Sequence, residues 1–189
     1  MIYFTSDLHL GHKNIIEYED RPWQTVEDMT IGLIKNWNEV VKPNDEVYIL
    51  GDFAFQNSYM TPFLITDVLS RLNGKKHLII GNHDTYINKQ AFNPRYFEEM
   101  VHYKELKING KFIILSHYPI ESWNCKEHGS IHLHGHTHKP DNQPDINRYN
   151  VGCMLYDYKP VTLDYLLKGG YLKWHHLKTN YYISKKENY

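Results

Sequence analysis

The chain is 189 residues long, 41% apolar and 23% charged, with a formal net charge of −1 and no stretch near the roughly 18 uninterrupted apolar residues of a membrane span. These values fit one soluble globular domain, 1–189, and exclude a bulk electrostatic attraction to nucleic acid or to an acidic membrane. Two cysteines, Cys125 and Cys153, are too few for a disulfide framework or a thiolate zinc finger, and Met1–Asp7 carries no secretory pattern, so the expected address is the cytoplasm.

The first apolar run, Ile2 to Ser6, predicts a strand that ends at Asp7-Leu8-His9. His12, Asn14 and Arg21 are expected in the loop after this strand and are candidate substrate contacts; a guanidinium suits phosphate oxygens, but Arg21 can equally pair with Glu17 or Asp20 on a solvated surface. Thr25 with Asp28 predicts a capping box, and Val26, Met29, Leu33, Trp37 and Val40 share the apolar face of the helix that follows. A second strand, Glu46 to Leu50, runs into Gly51-Asp52. A second helix starts at Thr61-Pro62 and carries Phe63, Leu64, Val68 and Leu72. The third strand, His77 to Ile80, ends at Gly81-Asn82-His83-Asp84. This alternation implies an α/β arrangement with a parallel sheet in the first half.

Asn109-Gly110 between two apolar runs is a hairpin signal, and antiparallel strands are expected to dominate from about His102 onward. Phe112 to Leu115 leads to Ser116-His117, and Ile131 to His134 leads to Gly135-His136-Thr137-His138. Trp123 and His128 lie in the intervening loop, where either can stack on a base or simply pack. Cys153 is expected as a buried apolar residue of a possible strand at 150–153. From Lys168 to Tyr189 five lysines and one glutamate interleave with aromatic residues, a mix that fits a solvated tail or a single-strand nucleic-acid contact.

All five polar motifs sit at the carboxyl ends of predicted strands, the edge where open α/β sheets bind ligands. Carboxylate, imidazole and amide oxygen are donors for borderline and hard divalent cations, and Asp7, His9, Asp52, Asn82, His117, His136 and His138 supply seven. Seven exceed one ordinary site, but a carboxylate shared by two ions makes eight bonds, four for each. Asp52, placed at the sheet edge by Gly51, is the natural bridge. Two ions about 3.5–4 Å apart activate water and neutralise the attacking and leaving oxygens of phosphoryl transfer. Each motif alone has an ordinary explanation: Asp-x-His and Gly-Asp mark many turns, and His132, His134, His136 and His138 alternate as a solvated strand would. Five of them in order, each at a strand end, do not.

The ordered set Asp7-Leu8-His9, Gly51-Asp52, Gly81-Asn82-His83-Asp84, His117 and Gly135-His136-Thr137-His138 resembles the signature of the calcineurin-like metallophosphoesterases. The resemblance implies an α/β (α+β) sandwich, two mixed β-sheets packed face to face and flanked by helices. It implies one metal on Asp7, His9, Asp52 and His138 and another on Asp52, Asn82, His117 and His136. It makes His83 the catalytic acid and Asp84 the group that orients its ring. Where many relatives place a further acid after Gly-Asp, this chain has Phe53-Ala54-Phe55, which is expected to line the pocket or pack beneath it.

The expected activity is a phosphoester hydrolase, with in-line attack by a metal-bridging hydroxide on a diester of a nucleotide or nucleic-acid fragment. Manganese is the favoured metal, with iron or zinc as alternatives. The alternatives are a phosphomonoesterase acting on a phosphorylated small molecule and, in another class, a catalytically silent interaction scaffold. No membrane contact and no obligatory protein partner are expected.

Overall fold

The computed structural model of the protein describes residues 1–169. The basic aromatic stretch beyond Gly169 lies outside the described residues. Its strands are β1 (Ile2–Thr5), β2 (Glu46–Ile49), β3 (Lys75–Ile79), β4 (Phe97–Val101), β5 (Tyr103–Ile108), β6 (Lys111–Ser116), β7 (Ile131–His134), β8 (Arg148–Asn150) and β9 (Val161–Thr162). Its helices are α1 (Lys13–Tyr18), α2 (Val26–Val40), α3 (Pro62–Arg71) and α4 (Leu163–Leu167). The strands form two sheets, ordered β4-β3-β2-β1-β9 and β5-β6-β7-β8.

The first sheet is buried on both faces, and its strands alternate accordingly. Tyr3, Val47, Ile49 and Leu78 pack with Met29 and Leu33 of α2 and with Ile65 and Val68 of α3. Their neighbours Phe4, Tyr48, Leu50 and Ile79 join Ile113, Leu115, Ile131 and Leu133 of the second sheet. A single register thus feeds two cores, so a one-residue slip would exchange the helix-facing and sheet-facing sets. The far face of the second sheet, with Ile114, His132 and His134 fully buried, is covered by the 117–130 connection through Trp123, whose ring lies 5.1 Å from that of His132.

Thr25 caps α2, its side chain accepting from the Asp28 N–H at 3.1 Å, and Val26, Met29, Leu33, Ile34 and Trp37 form the buried stripe. Thr61 caps α3 in the same manner. The buried stripe of α3 differs from the expected one: Ile65, Val68, Leu69 and Leu72 turn inward, whereas Phe63 and Leu64 are exposed. A sequence apolar at 63, 64, 65, 68, 69 and 72 admits two helical phases, and packing against the sheet selects one.

The second half also departs from expectation. Asn109 and Gly110 (φ 51° and 81°) close the antiparallel hairpin of β5 and β6, but β6, β7 and β8 then run parallel. The connections 117–130 and 135–147, each with a single 3-10 turn, are long enough to return the chain to the same end without an α-helix. This crossover puts the ends of β6 and β7 at the same edge as those of β1, β2 and β3. Among the described residues no helix is long and apolar enough to cross a membrane.

Leu33→Ala is expected to cost about 2–5 kcal/mol of unfolding free energy, because it leaves a cavity where helix meets sheet. Ile31→Ala, on the exposed side of the same helix, is expected to stay within about 0.5 kcal/mol. Denaturant titration of both variants checks the phase of α2.

Candidate metal centre

Backbone pairing beyond the strands holds the donor-bearing loops together. The Asp7 N–H donates to the Gly51 carbonyl at 3.0 Å, His9 to Asp52 at 2.9 Å and Leu10 to Phe53 at 3.1 Å, so the loops after β1 and β2 travel side by side. The loop after β6 joins through Gly135 N–H to His117 O at 3.0 Å, and the His136 N–H reaches both Asp7 oxygens at 3.1 Å. Five of the seven candidate donors, Asp7, His9, Asp52, His136 and His138, have left-handed backbone, with φ between 50° and 71°. Each such residue costs roughly 1–2 kcal/mol, so the surrounding hydrogen bonds hold a conformation the chain does not favour. Gly51, at φ 88°, is required at its position: a Cβ there would lie 2.3 Å from His117 Nδ1.

Three clusters of possible ligand atoms, Asp7-His9-His138, His9-Asp52-His83 and Asp52-His117-His136, merge through His9 and Asp52 into two donor groups. In the first, His138 Nε2 lies 3.1 Å from His9 Nε2 and 3.6 Å from Asp7 Oδ1, and His9 Nε2 lies 3.6 Å from Asp52 Oδ2. In the second, His117 Nε2 lies 3.5 Å from the same Asp52 Oδ2 and 3.0 Å from Asn82 Oδ1, and the His136 ring is 5.0 Å from that of His117. One oxygen of Asp52 therefore reaches both groups, while its other oxygen accepts the His83 N–H at 2.8 Å.

The chemistry of these atoms fits cations. His117 donates Nδ1–H to the Leu50 carbonyl at 2.8 Å, so in the neutral ring Nε2 carries a lone pair. Burial lowers the pKa of His117 and keeps the ring neutral. That lone pair, the Asn82 carbonyl oxygen and the Asp52 carboxylate converge with no proton to separate them, an arrangement that a divalent ion relieves.

Burial also pushes Asp7 up to about 7, against the proton-donating Ser6 hydroxyl at 2.7 Å and the His136 N–H. Burial and neighbouring cationic groups hold His9 well below the ordinary histidine range. His138 goes the other way. Burial opposes its charge, but its hydrogen bond to Glu19 and the nearby Asp7 carboxylate outweigh that and raise its pKa.

The remaining expected site residues fall in different places. The half-buried ring of His83 sits at the rim, 5.3 Å from the rings of His9 and Phe55. Asp84 does not serve the His83 ring as expected: it is buried, and its oxygens accept the backbone N–H groups of Asp52, Phe53 and Gly81, each at 2.9 Å. His12 stacks on Phe55, centroids 4.4 Å apart, at the edge of the first group. Asn14 is exposed on the first turn of α1, so what was expected as a loop is helical from Lys13 to Tyr18.

Arg21 is not presented to a substrate. Its side chain is fully buried, donating to Glu19 Oε2 at 2.7 Å, to Leu8 O at 2.7 Å and to Asp7 O at 2.9 Å. Its charge secures the loop after β1 from behind. Phe53 is fully buried beneath that loop, as its apolar type implies.

His132 and His134 are buried in β7, and the left-handed backbone of His136 and His138 ends the alternation that would have put all four on one face. Trp123 packs, donating to Ser130 Oγ at 3.0 Å, and His128 is exposed. Cys153 is buried at 1% exposure, with Sγ 3.3 Å from the Asp7 carbonyl.

Two residues at the site escaped sequence reasoning. Glu19, buried at 6% exposure, contacts His138 Nδ1. Tyr118 is 47% exposed, its ring 4.5 Å from His136 and its hydroxyl 3.4 Å from Asn82 Oδ1. Tyr118 directly follows His117, which was a usable signal. Glu19 had none, because its partner lies 119 residues away.

The family model described as the calcineurin-like phosphoesterase superfamily domain matches residues 1–162. An uncharacterized protein of Methanocaldococcus jannaschii, MJ1445, is 37% identical over 172 residues, spanning 88% of this chain and 89% of its own length. The gene 66 protein of Mycobacterium phage L5 is 31% identical over 162 residues, spanning 73% of this chain and 77% of its own. Among solved structures, the protein of unknown function AQ665 from Aquifex aeolicus superposes with a TM-score of 0.68 at 28% identity, over 89% of this chain and 98% of its own.

The raised pKa of Asp7 sets a pH dependence. Between its ordinary value of 3.8 and about 7, the folded metal-free chain keeps a proton on Asp7 that the unfolded chain has released, so Asp7 makes that form less stable as pH rises through this window. Cations bind the ionised carboxylate, so their stabilisation grows over the same window. The rise in Tm on adding manganese is expected to be larger at pH 8 than at pH 6 and to shrink in Asp7→Asn. Thermal melts with and without chelator check this; equal shifts at both pH values would contradict it.

Proposed function

This chain belongs to the calcineurin-like phosphoesterase superfamily, and from that membership we propose that it is a metal-dependent phosphodiesterase acting on a nucleotide or nucleic-acid fragment. The observation that carries the reading is the single Asp52 oxygen within 3.6 Å of His9 Nε2 and 3.5 Å of His117 Nε2. It makes one carboxylate common to two donor groups, the arrangement required to hold two cations on one phosphoryl group.

When bound, such cations supply Lewis acidity to the phosphoryl oxygens and make water more acidic. Manganese suits the nitrogen and oxygen donor set, as do iron and zinc. The first ion would rest on Asp7, His9, Asp52 and His138, the second on Asp52, Asn82, His117 and His136.

The chain's own residues supply the rest. His83 stands at the rim with its backbone N–H on Asp52 Oδ1, so its main chain keeps a constant relation to the shared carboxylate. From there it holds the proton that the leaving oxygen needs. Asp84 keeps the loops of Asp52 and His83 in register through its three backbone N–H bonds.

The flanks favour a substrate with a planar group. Beside the first donor group the Phe55 and His12 rings stack next to His83, and beside the second Tyr118 stands exposed against His136. Aromatic faces at the edge of a phosphate site suit the stacking of bases. Exposed Asn82 keeps the edge of the second group open, which leaves room for two substituents on phosphorus.

With manganese restored to the metal-free protein, bis-p-nitrophenyl phosphate is expected to be cleaved faster than p-nitrophenyl phosphate. His83→Ala is expected to lower kcat by about 10²- to 10⁴-fold while keeping its metal content, and Asp52→Asn to lose both. Faster monoester cleavage would move the substrate to a phosphomonoester. No turnover with manganese, iron or zinc, despite two bound ions, would overturn the hydrolase reading in favour of a scaffold.

A further inference from the structure

The two donor groups are built differently behind the histidines. In the second group His117 is oriented by a backbone carbonyl, that of Leu50. In the first, the Nδ1 of His138 faces the side chain of Glu19, a residue outside the five motifs.

Local chemistry explains how Glu19 gets there. Helix α1 stops with Asp20 in the left-handed region at φ 53°, the Asp20 N–H on Glu17 O at 3.3 Å and the Arg21 N–H on Ile16 O at 2.8 Å. This is the paired bonding of a Schellman stop, with Asp20 in the place glycine usually takes. The reversal leaves Asp20 exposed while Glu19 and Arg21 are buried. Arg21 then engages Glu19 Oε2 and the carbonyls of Leu8 and Asp7.

We propose that Glu19 is a positioning residue of the first group, accepting the Nδ1–H of His138 so that Nε2 presents a lone pair to the cation, with Arg21 holding the carboxylate in place. The assignment rests on the metal-dependent reading above. A carboxylate behind a metal-binding imidazole selects the tautomer, orients the ring and raises its basicity, and losing it commonly costs about 10- to 100-fold in metal affinity.

His138 needs this support. Its backbone is left-handed at φ 52° and it lies in a loop, so no strand or helix sets its direction. A purely structural Glu19–Arg21 pair would use only one side of the carboxylate. Here Oε2 takes Arg21 and Oε1 turns to His138, so the buried charge is divided between a loop clamp and a donor ring.

Glu19→Gln separates the roles. An amide of nearly the same shape still fills the space. Its NH₂ must face either Arg21 Nε–H, donor against donor, or His138 Nδ1, which then becomes an acceptor and leaves the proton on Nε2. Manganese titration of the metal-free protein is expected to show two ions in the wild type, and in Glu19→Gln one site weakened by about 10- to 100-fold with the other unchanged. His138→Ala should abolish that same site.

Histidine ¹⁵N NMR of the metal-free wild type at pH 8.5 gives a second readout needing no variant: His138 is expected as the Nδ1–H tautomer. A wild type that fails to bind two ions would overturn the metal-dependent reading itself. Two ions bound equally well by wild type and folded Glu19→Gln, or an Nε2–H tautomer of His138 in the wild type, would overturn the role of Glu19 alone.

Discussion

The arrangement of this molecule depends on one buried carboxylate. Asp84 accepts three backbone N–H groups, two from the segment Asp52–Phe53 and one from Gly81. Those bonds join the exits of β2 and β3, and the exit of β1 is then zipped to that of β2. Burial at 1% exposure penalises the ionised side chain and pushes Asp84 up to about 6, and the three backbone N–H groups offset part of that cost. The same bonds fix where Asp52 stands. Without that placement the histidines of the second sheet would have no carboxylate to share with those of the first.

Holding such an edge requires a rigid foundation, because its loops carry five non-glycine residues in left-handed conformation among the candidate donors alone. That strain is offset by the first sheet, buried on both faces, with α2 and α3 on one side and the second sheet on the other. Polar groups concentrate where apolar packing ends. Tyr3, Phe4, Val47 and Ile49 are buried in the two cores, and the chain turns polar and left-handed within a few residues of each strand end. Packing energy from the strands stabilises a conformation and a charge density that the loops alone would not keep.

The asymmetry of the donor groups follows from topology. The second group is backed by the first sheet itself, so a main-chain carbonyl at the end of β2 is within reach of His117. In the first group the Nδ1 of His138 faces the end of α1 and meets a side chain instead. Glu19 takes that place because the stop of α1 turns Glu19 and Arg21, on either side of exposed Asp20, into the interior. Arg21 belongs to the same device, which is why its guanidinium faces backbone carbonyls instead of solvent.

The sequence by itself determined the strands that carry the polar motifs, the two long helices and the position of each chemical group along them, but not β4, β9, α1 or α4. Apolar runs ending in Asp-x-His, Gly-Asp, Gly-Asn-His-Asp, Ser-His and Gly-His-x-His are local patterns, and local pattern is enough to place a strand and the polar residues after it. Thr25, Thr61 and Asn109-Gly110 act within three residues of themselves, so their cap and turn roles were legible too. What depended on distant partners was not. The phase of α3, with Ile65 and Leu69 inward and Phe63 outward, is set by the sheet it meets. The parallel pairing of β6, β7 and β8 is set by long connections whose path no propensity encodes. Asp84 bonds across 31 and 32 residues, and Glu19 across 119. A side chain's chemical type is written in the sequence, but the atom it faces is chosen by the packing of the whole chain, and only the tertiary structure could decide it.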